Sequence, residues 1–309
     1  MRKQIKSAIY FCIIVFSING LAFSNETELS ASETSEAQLI FALKNKDASL
    51  KTRQAAADQI LSNFVRSSGI ELIKILENPK ESKTLQNYIS KIIVDSKSSH
   101  LTELLEKKSL DSALDTYARK AVLSCLWKTD FERALIASRE IVLNSRESEA
   151  IRFESIGYLG NLPGDPDNIA VIKQVFDNKK ESTTFRKSAF FLLESALVQE
   201  ESVKLFQKTL TDTKEIKGFR LLALNRLSKN HSPEKNEALI EILFNSNETA
   251  EMRQSALETL KSERNLLMKE LPRLKNLYRM LEFGDFKESV RRTILDIETS
   301  KKKLSKNYR

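Results

Sequence analysis

Apolar residues in this chain fall on helical spacing, and the spacing restarts at a fixed interval. Phe185, Ala189, Leu193 and Ala196 are separated by four, four and three positions, which lays them along one stripe of a helix. Ser182 is placed to cap its start. After a polar break at Gln199 to Glu201, Val203, Leu205, Phe206 and Leu210 give a second stripe. The unit is thus a helical hairpin whose apolar faces are too broad to cover each other, so neighbouring hairpins must stack to exclude water.

The same plan recurs along the chain. First helices are expected around Ala56, Ile89, Val122, Ile156, Ala189, Ala223 and Ala256. Second helices are expected to carry the apolar runs from Ile70, Leu101, Ala134, Ile169 and Ala238. Arg53, Arg119, Arg152, Arg186, Arg220 and Arg253 hold one place in this pattern, with Gln86 between the first two, at intervals of 33 or 34 residues. A small or apolar residue follows three places later and an apolar one seven places later, as Ala189 and Leu193 follow Arg186. A long side chain at the first of these places would overpack the seam between helices.

The recurrent Arg stands in the first turn of its helix, where the backbone dipole disfavours a cation. A compensating bond is therefore expected. Glu147, Glu181, Glu215 and Glu248 lie five residues before an Arg, and Glu81 precedes Gln86 by the same interval. Each Arg is expected to reach the loop before its helix, or the next unit, and to bond a carboxylate or a free carbonyl. This makes a structural ladder of the six Arg and the acidic residues.

The acidic residue followed by apolar-Arg-x-x-Ala-x-x-x-Leu appears as Glu181 with FRKSAFFLL, Glu215 with FRLLALNRL and Glu248 with MRQSALETL. In these motifs the chain resembles the HEAT-repeat family, with short repeats of the bacterial type, over residues 37–300. The resemblance implies an all-α fold, an α-solenoid of stacked helical hairpins forming a superhelix, here of about seven hairpins. It also implies that the second helices supply a contact surface, with Lys173, Lys204, Lys208 and Glu241 as candidates from their helical phase. The Trp-Leu-Gly-Tyr and Pro markers of tetratricopeptide repeats, which share this period, are missing. Thr52 and Gln86 weaken the first two repeats, as expected of a terminal cap. After Arg253 the rhythm breaks, and Pro272 is expected to kink or restart a helix.

Composition agrees with an all-α reading, because Gly at 7 and Pro at 5 of 309 residues leave few turns that need special backbone angles. The start, MRKQIK followed by AIYFCIIVFSI and NGLAFS, reads as a secretory signal peptide over 1–24 with cleavage after Ser24. Its apolar run is shorter than the roughly 20 residues of a membrane span. The chain is therefore expected to be exported, to the periplasm or the extracellular space, with no membrane span after cleavage. Only Cys125 then remains, so packing must hold the fold without an internal disulfide.

Three units of the net charge of +8 belong to Arg2, Lys3 and Lys6. Residues 25–36 form an acidic flexible segment, and 301–309 a basic tail. In the C-terminal quarter Arg273, Lys275 and Arg279 are the best candidates for contact with an anionic surface. His100 and His231 stand in different repeats, and no zinc-type cluster, phosphate cradle or nucleophile elbow is present. No cofactor, metal or catalytic residue is expected, and the chain is expected not to be an enzyme. Export and interleaved Glu argue against nucleic acid. The expected function is a repeat scaffold that binds another protein. The alternatives are a binder of anionic lipid, polysaccharide or another polyanion, and an enzyme with a site in its groove.

Overall fold

The computed structural model describes residues 35–229 and 234–307. The expected signal peptide, the acidic segment up to residue 34, and His231 lie outside the described residues, as does the end of the basic tail. Every regular element among the described residues is an α-helix. The chain forms two compact units, one ending at Leu192 and one starting at Leu193.

The first unit holds α1 (Glu36–Lys44), α2 (Leu50–Asn63), α3 (Val65–Glu77), α4 (Lys83–Ser96), α5 (Ser99–Ser109), α6 (Thr116–Thr129), α7 (Phe131–Leu143), α8 (Glu149–Gly160) and α9 (Pro166–Asp177). It also takes in most of α10 (Thr183–Ala196). Two rows result. The first helices α2, α4, α6 and α8 pack in succession, and the second helices α3, α5, α7 and α9 pack beside them. Stacked helical hairpins of this kind define an all-α, HEAT-like solenoid.

The second unit holds α11 (Gln199–Thr211), α12 (Lys217–Ser228), α13 (Glu234–Phe244), α14 (Ala250–Leu260), α15 (Arg264–Lys269), α16 (Leu271–Met280) and α17 (Asp285–Asn307). Here α12, α14 and α17 form one row, α11 packs on α13, and α16 packs on α17. Pro272 lies in the first turn of α16, where its missing N–H costs nothing, so it restarts a helix after the short α15.

Side-chain caps fix where the helices begin. Ser49, Ser82, Ser98, Asp115, Asp130, Asp165 and Thr249 each accept a backbone N–H in the first turn, and Ser182 accepts from Phe185 at 3.1 Å. Each such cap contributes about 1 kcal/mol. At NLPGDPDN the chain makes an ordinary turn, with Asp165 as cap and Pro166 opening α9.

The small residues of the seam are fully enclosed: Ala56, Ala189, Ala223 and Ala256 are each 0% exposed. Gly69 shows how close the second helices lie, since a Cβ there would stand 2.7 Å from Leu101 Cδ2. Cys125 is a free, buried thiol, and burial pushes its pKa up. It behaves as a small apolar core residue.

Candidate interaction surface

The recurrent Arg side chains are buried and bridge successive hairpins. Arg53 sends Nη1 and Nη2 to the two carboxylate oxygens of Glu81, at 2.9 and 2.6 Å, and donates Nε–H to the Leu43 carbonyl at 2.8 Å. Arg152 repeats this with Glu181 at 2.8 and 2.6 Å and with the Val142 carbonyl at 3.0 Å. Arg119 joins Glu147 to the Ser109 carbonyl, and Arg220 joins Glu248 to the Leu210 carbonyl. Arg186 donates Nε–H to the Phe176 carbonyl at 2.8 Å, and Arg253 to the Leu243 carbonyl at 3.0 Å. Glu215 is buried and accepts the Ile216 N–H at 2.9 Å.

This geometry removes the conflict between a cation and the helix start. Each Nε–H points at a carbonyl at the end of the preceding helix, where orphan acceptors gather and the dipole is negative. The bonds from Arg53 hold the Glu81 carboxyl below its ordinary range, against the opposing effect of burial.

At one rung inside the series both the acid and the Arg are missing. Five residues before Arg119 stands Leu114 rather than Glu, and the preceding rung is Gln86. Gln86 donates Nε2–H to the Asn78 and Leu76 carbonyls, at 2.8 and 3.1 Å, while its Oε1 accepts from the Tyr117 hydroxyl at 2.9 Å. An uncharged amide keeps the carbonyl contact without burying a lone cation.

The last rung ends differently. Among the described residues no carboxylate bonds Arg253; its Cζ lies 5.0 Å from the centre of the Phe286 ring. Burial draws the Arg253 pKa down.

One repeated feature escaped the sequence reading. Asn45, Asn78, Asp111, Asn144, Asn178, Asp212 and Asn245 each accept, through Oδ1, the backbone N–H two residues on, at 2.9 to 3.1 Å. These Asx turns shape the loop that delivers the Glu. The available signal was an Asn or Asp eight residues before each ladder position.

The residues expected to make partner contact are all exposed. Lys173 lies on α9 of the first unit, Lys204 and Lys208 on α11, and Glu241 on α13. Lys204 pairs with Glu200 at 2.6 Å. Arg273 is tied to Glu270 at 2.8 Å and sits 4.0 Å from the Phe244 ring centre. Lys275 meets Glu298, on the following helix, at 2.6 Å. Arg279 borders a shallow hollow with Arg291, and Arg291 and Arg292 share Glu288.

A concavity in the second unit was not anticipated. It is a groove of about 940 Å³ between α12, α14, the link at 281–284 and the first turn of α17. Leu221, Leu224 and Phe286 give it an apolar floor, while Ser255 and Glu258 of α14 supply polar lining. Gly284, with φ of 151°, takes a backbone angle that a side chain would strain. Phe283 beside it is wholly exposed, at 102%. Lys287 donates to the Leu281 carbonyl at 2.6 Å and lies beside the Tyr278 and Phe283 rings.

No protein-family model matches the chain, and no curated protein matches it. Among solved structures it is similar to a chain of the complex of CpcE and CpcF of phycocyanin lyase from Nostoc sp. PCC7120. That match has 15% identity and a TM-score of 0.31, covering 90% of this chain and 100% of that one. It is also similar to human deoxyhypusine hydroxylase in complex with glycerol, at 13% identity and a TM-score of 0.32, covering 85% of this chain and 94% of that one. Both names are those of enzymes, which overturns the expectation that this chain is not one; that expectation is withdrawn. At these scores neither match assigns an activity here.

Among the described residues no group of three or more His, Cys, Asp or Glu is placed to hold a metal. No helix among them is long and apolar enough to cross a membrane.

Proposed function

We propose that this chain is an exported HEAT-like repeat scaffold that binds another protein, and that the groove of the second unit is its docking surface. The observation that carries this reading is Phe283, a fully exposed aromatic side chain beside an apolar floor. Exposed apolar surface next to a concavity marks interaction sites, and aromatic anchors supply much of the binding energy in such interfaces. The ladder supports it indirectly: buried ion pairs are consumed in joining hairpins, so the surface remains available for recognition.

Export rests on the segment at residues 1–24 and is part of the same proposal. The basic residues Arg273 and Lys275, first considered for an anionic surface, are neutralised by Glu270 and Glu298. They favour the protein-binding reading over a polyanion.

A photo-crosslinking residue at position 283, introduced into the full chain in its native compartment, tests this. One discrete crosslinked polypeptide, absent when the crosslinker is moved to position 173, is the expected result. Equal labelling from both positions, or none from 283, refutes the docking surface.

A further inference from the structure

The groove carries a chemical preference as well as a shape. Four carboxylates line it, Glu251, Glu258, Glu282 and Asp285, against a single ammonium, Lys287. Glu251 is paired with Lys217, and Glu258 with Lys261 and Ser289. Burial works against the Glu258 carboxylate, yet the bonds from Lys261 and Ser289 hold its pKa below the ordinary range. Glu282 on the link and Asp285 at the start of α17 are exposed, and among the described residues no hydrogen bond or ion pair engages either side chain. Lys287 donates to the Leu281 carbonyl and forms no ion pair with either of them. The side-chain amides of Asn225 and Gln254 also face the groove with no hydrogen bond among the described residues.

From this we infer that the groove receives a cationic amphipathic segment of a partner protein, with apolar side chains on Leu221, Leu224 and Phe286 and Lys or Arg beside Glu282 and Asp285. This rests on the reading of the groove as a protein-docking surface and names the partner's chemistry. The apolar floor supplies affinity, at about 25 cal/mol per Å² of apolar surface covered. Exposed ion pairs add little each, so charge acts mainly by rejecting acidic segments and speeding encounter with basic ones. An acidic segment of the same shape places like charges beside two carboxylates that hold no ion pair.

The test uses the full chain and two fluorescent peptides of about four helical turns, with Leu on one face and either Lys or Glu on the other. Anisotropy titration is expected to show the Lys peptide binding at least about tenfold more tightly than the Glu peptide, an advantage that shrinks with added salt. Glu282→Gln together with Asp285→Asn is expected to weaken the Lys peptide by roughly fivefold or more. Ser255→Trp, which fills the groove, is expected to abolish its binding; Gln254→Trp serves if that variant melts early.

If both peptides bind equally and both are lost on filling the groove, the cationic preference is overturned while the docking surface stands. If the Lys peptide still binds the filled groove, or neither peptide binds the native chain, the inference also fails. The docking reading is then judged separately by the crosslink from position 283.

Discussion

Arg53 and Glu81 lie 28 residues apart in sequence and meet in a two-pronged contact, with both carboxylate oxygens held by the two ends of one guanidinium. Their side chains are only 7% and 4% exposed. The third donor of Arg53 is taken by the Leu43 carbonyl, so one side chain fastens the end of α1 to the loop that begins α4. Lysine has no planar fork and cannot make all three bonds.

Truncating one member of such a pair leaves a buried charge alone. Arg53→Ala or Glu81→Ala is expected to destabilise the first unit by about 3–5 kcal/mol. Replacing both with apolar residues of similar volume is expected to cost much less than the sum of the two. Thermal unfolding of the four chains of this cycle measures the coupling, and additive losses refute a fastened pair.

The uncharged rung offers a reciprocal test. Gln86→Arg is expected to lower the melting temperature, because no carboxylate faces it; adding Leu114→Glu is expected to recover most of the loss. A double variant no more stable than Gln86→Arg counts against the coupling of the two positions.

Alkaline titration probes a contact outside the ladder. The Tyr88 hydroxyl lies 2.8 Å from both Asp58 oxygens, and its pKa is pushed up to about 12, by burial and then by this carboxylate. A phenol raised in the folded state contributes stability that is complete below pH about 10 and is lost as the pH rises toward about 12. Asp58→Asn is expected to move the Tyr88 ionisation step, followed by ultraviolet absorbance, to lower pH. An unchanged step rules out the carboxylate as a cause.

The lone thiol gives a fourth expectation. Cys125 is 1% exposed and its pKa is raised by burial. In the native chain it is expected to react with a thiol reagent only through opening of the fold, far more slowly than in denaturant. Rapid native labelling refutes this burial.

Much of the architecture was legible because it repeats. The Arg register located every first helix from α2 to α14, and the apolar runs located their partners, since helical spacing is a local property. Pro272 likewise announced the restart at α16. The acceptors were harder to read. Glu81 lies near Gln86 in sequence, yet it serves Arg53 one hairpin earlier, a relation set by stacking. The groove was hidden for a related reason: it joins α12 and α14 to a link that follows the break in the repeat, where no periodic signal remained. Lys275 gave the opposite lesson, because Glu298, on the following helix, neutralises it.

The two extremes of the Arg series are finished with side chains that cannot extend it. Ala48 occupies the place five residues before Arg53 where all later repeats but the one at Leu114 carry an acid, and Arg253 meets the Phe286 ring instead of a carboxylate. Both ends of the series thus differ chemically from its middle, where each buried guanidinium meets a carboxylate or a helix-end carbonyl.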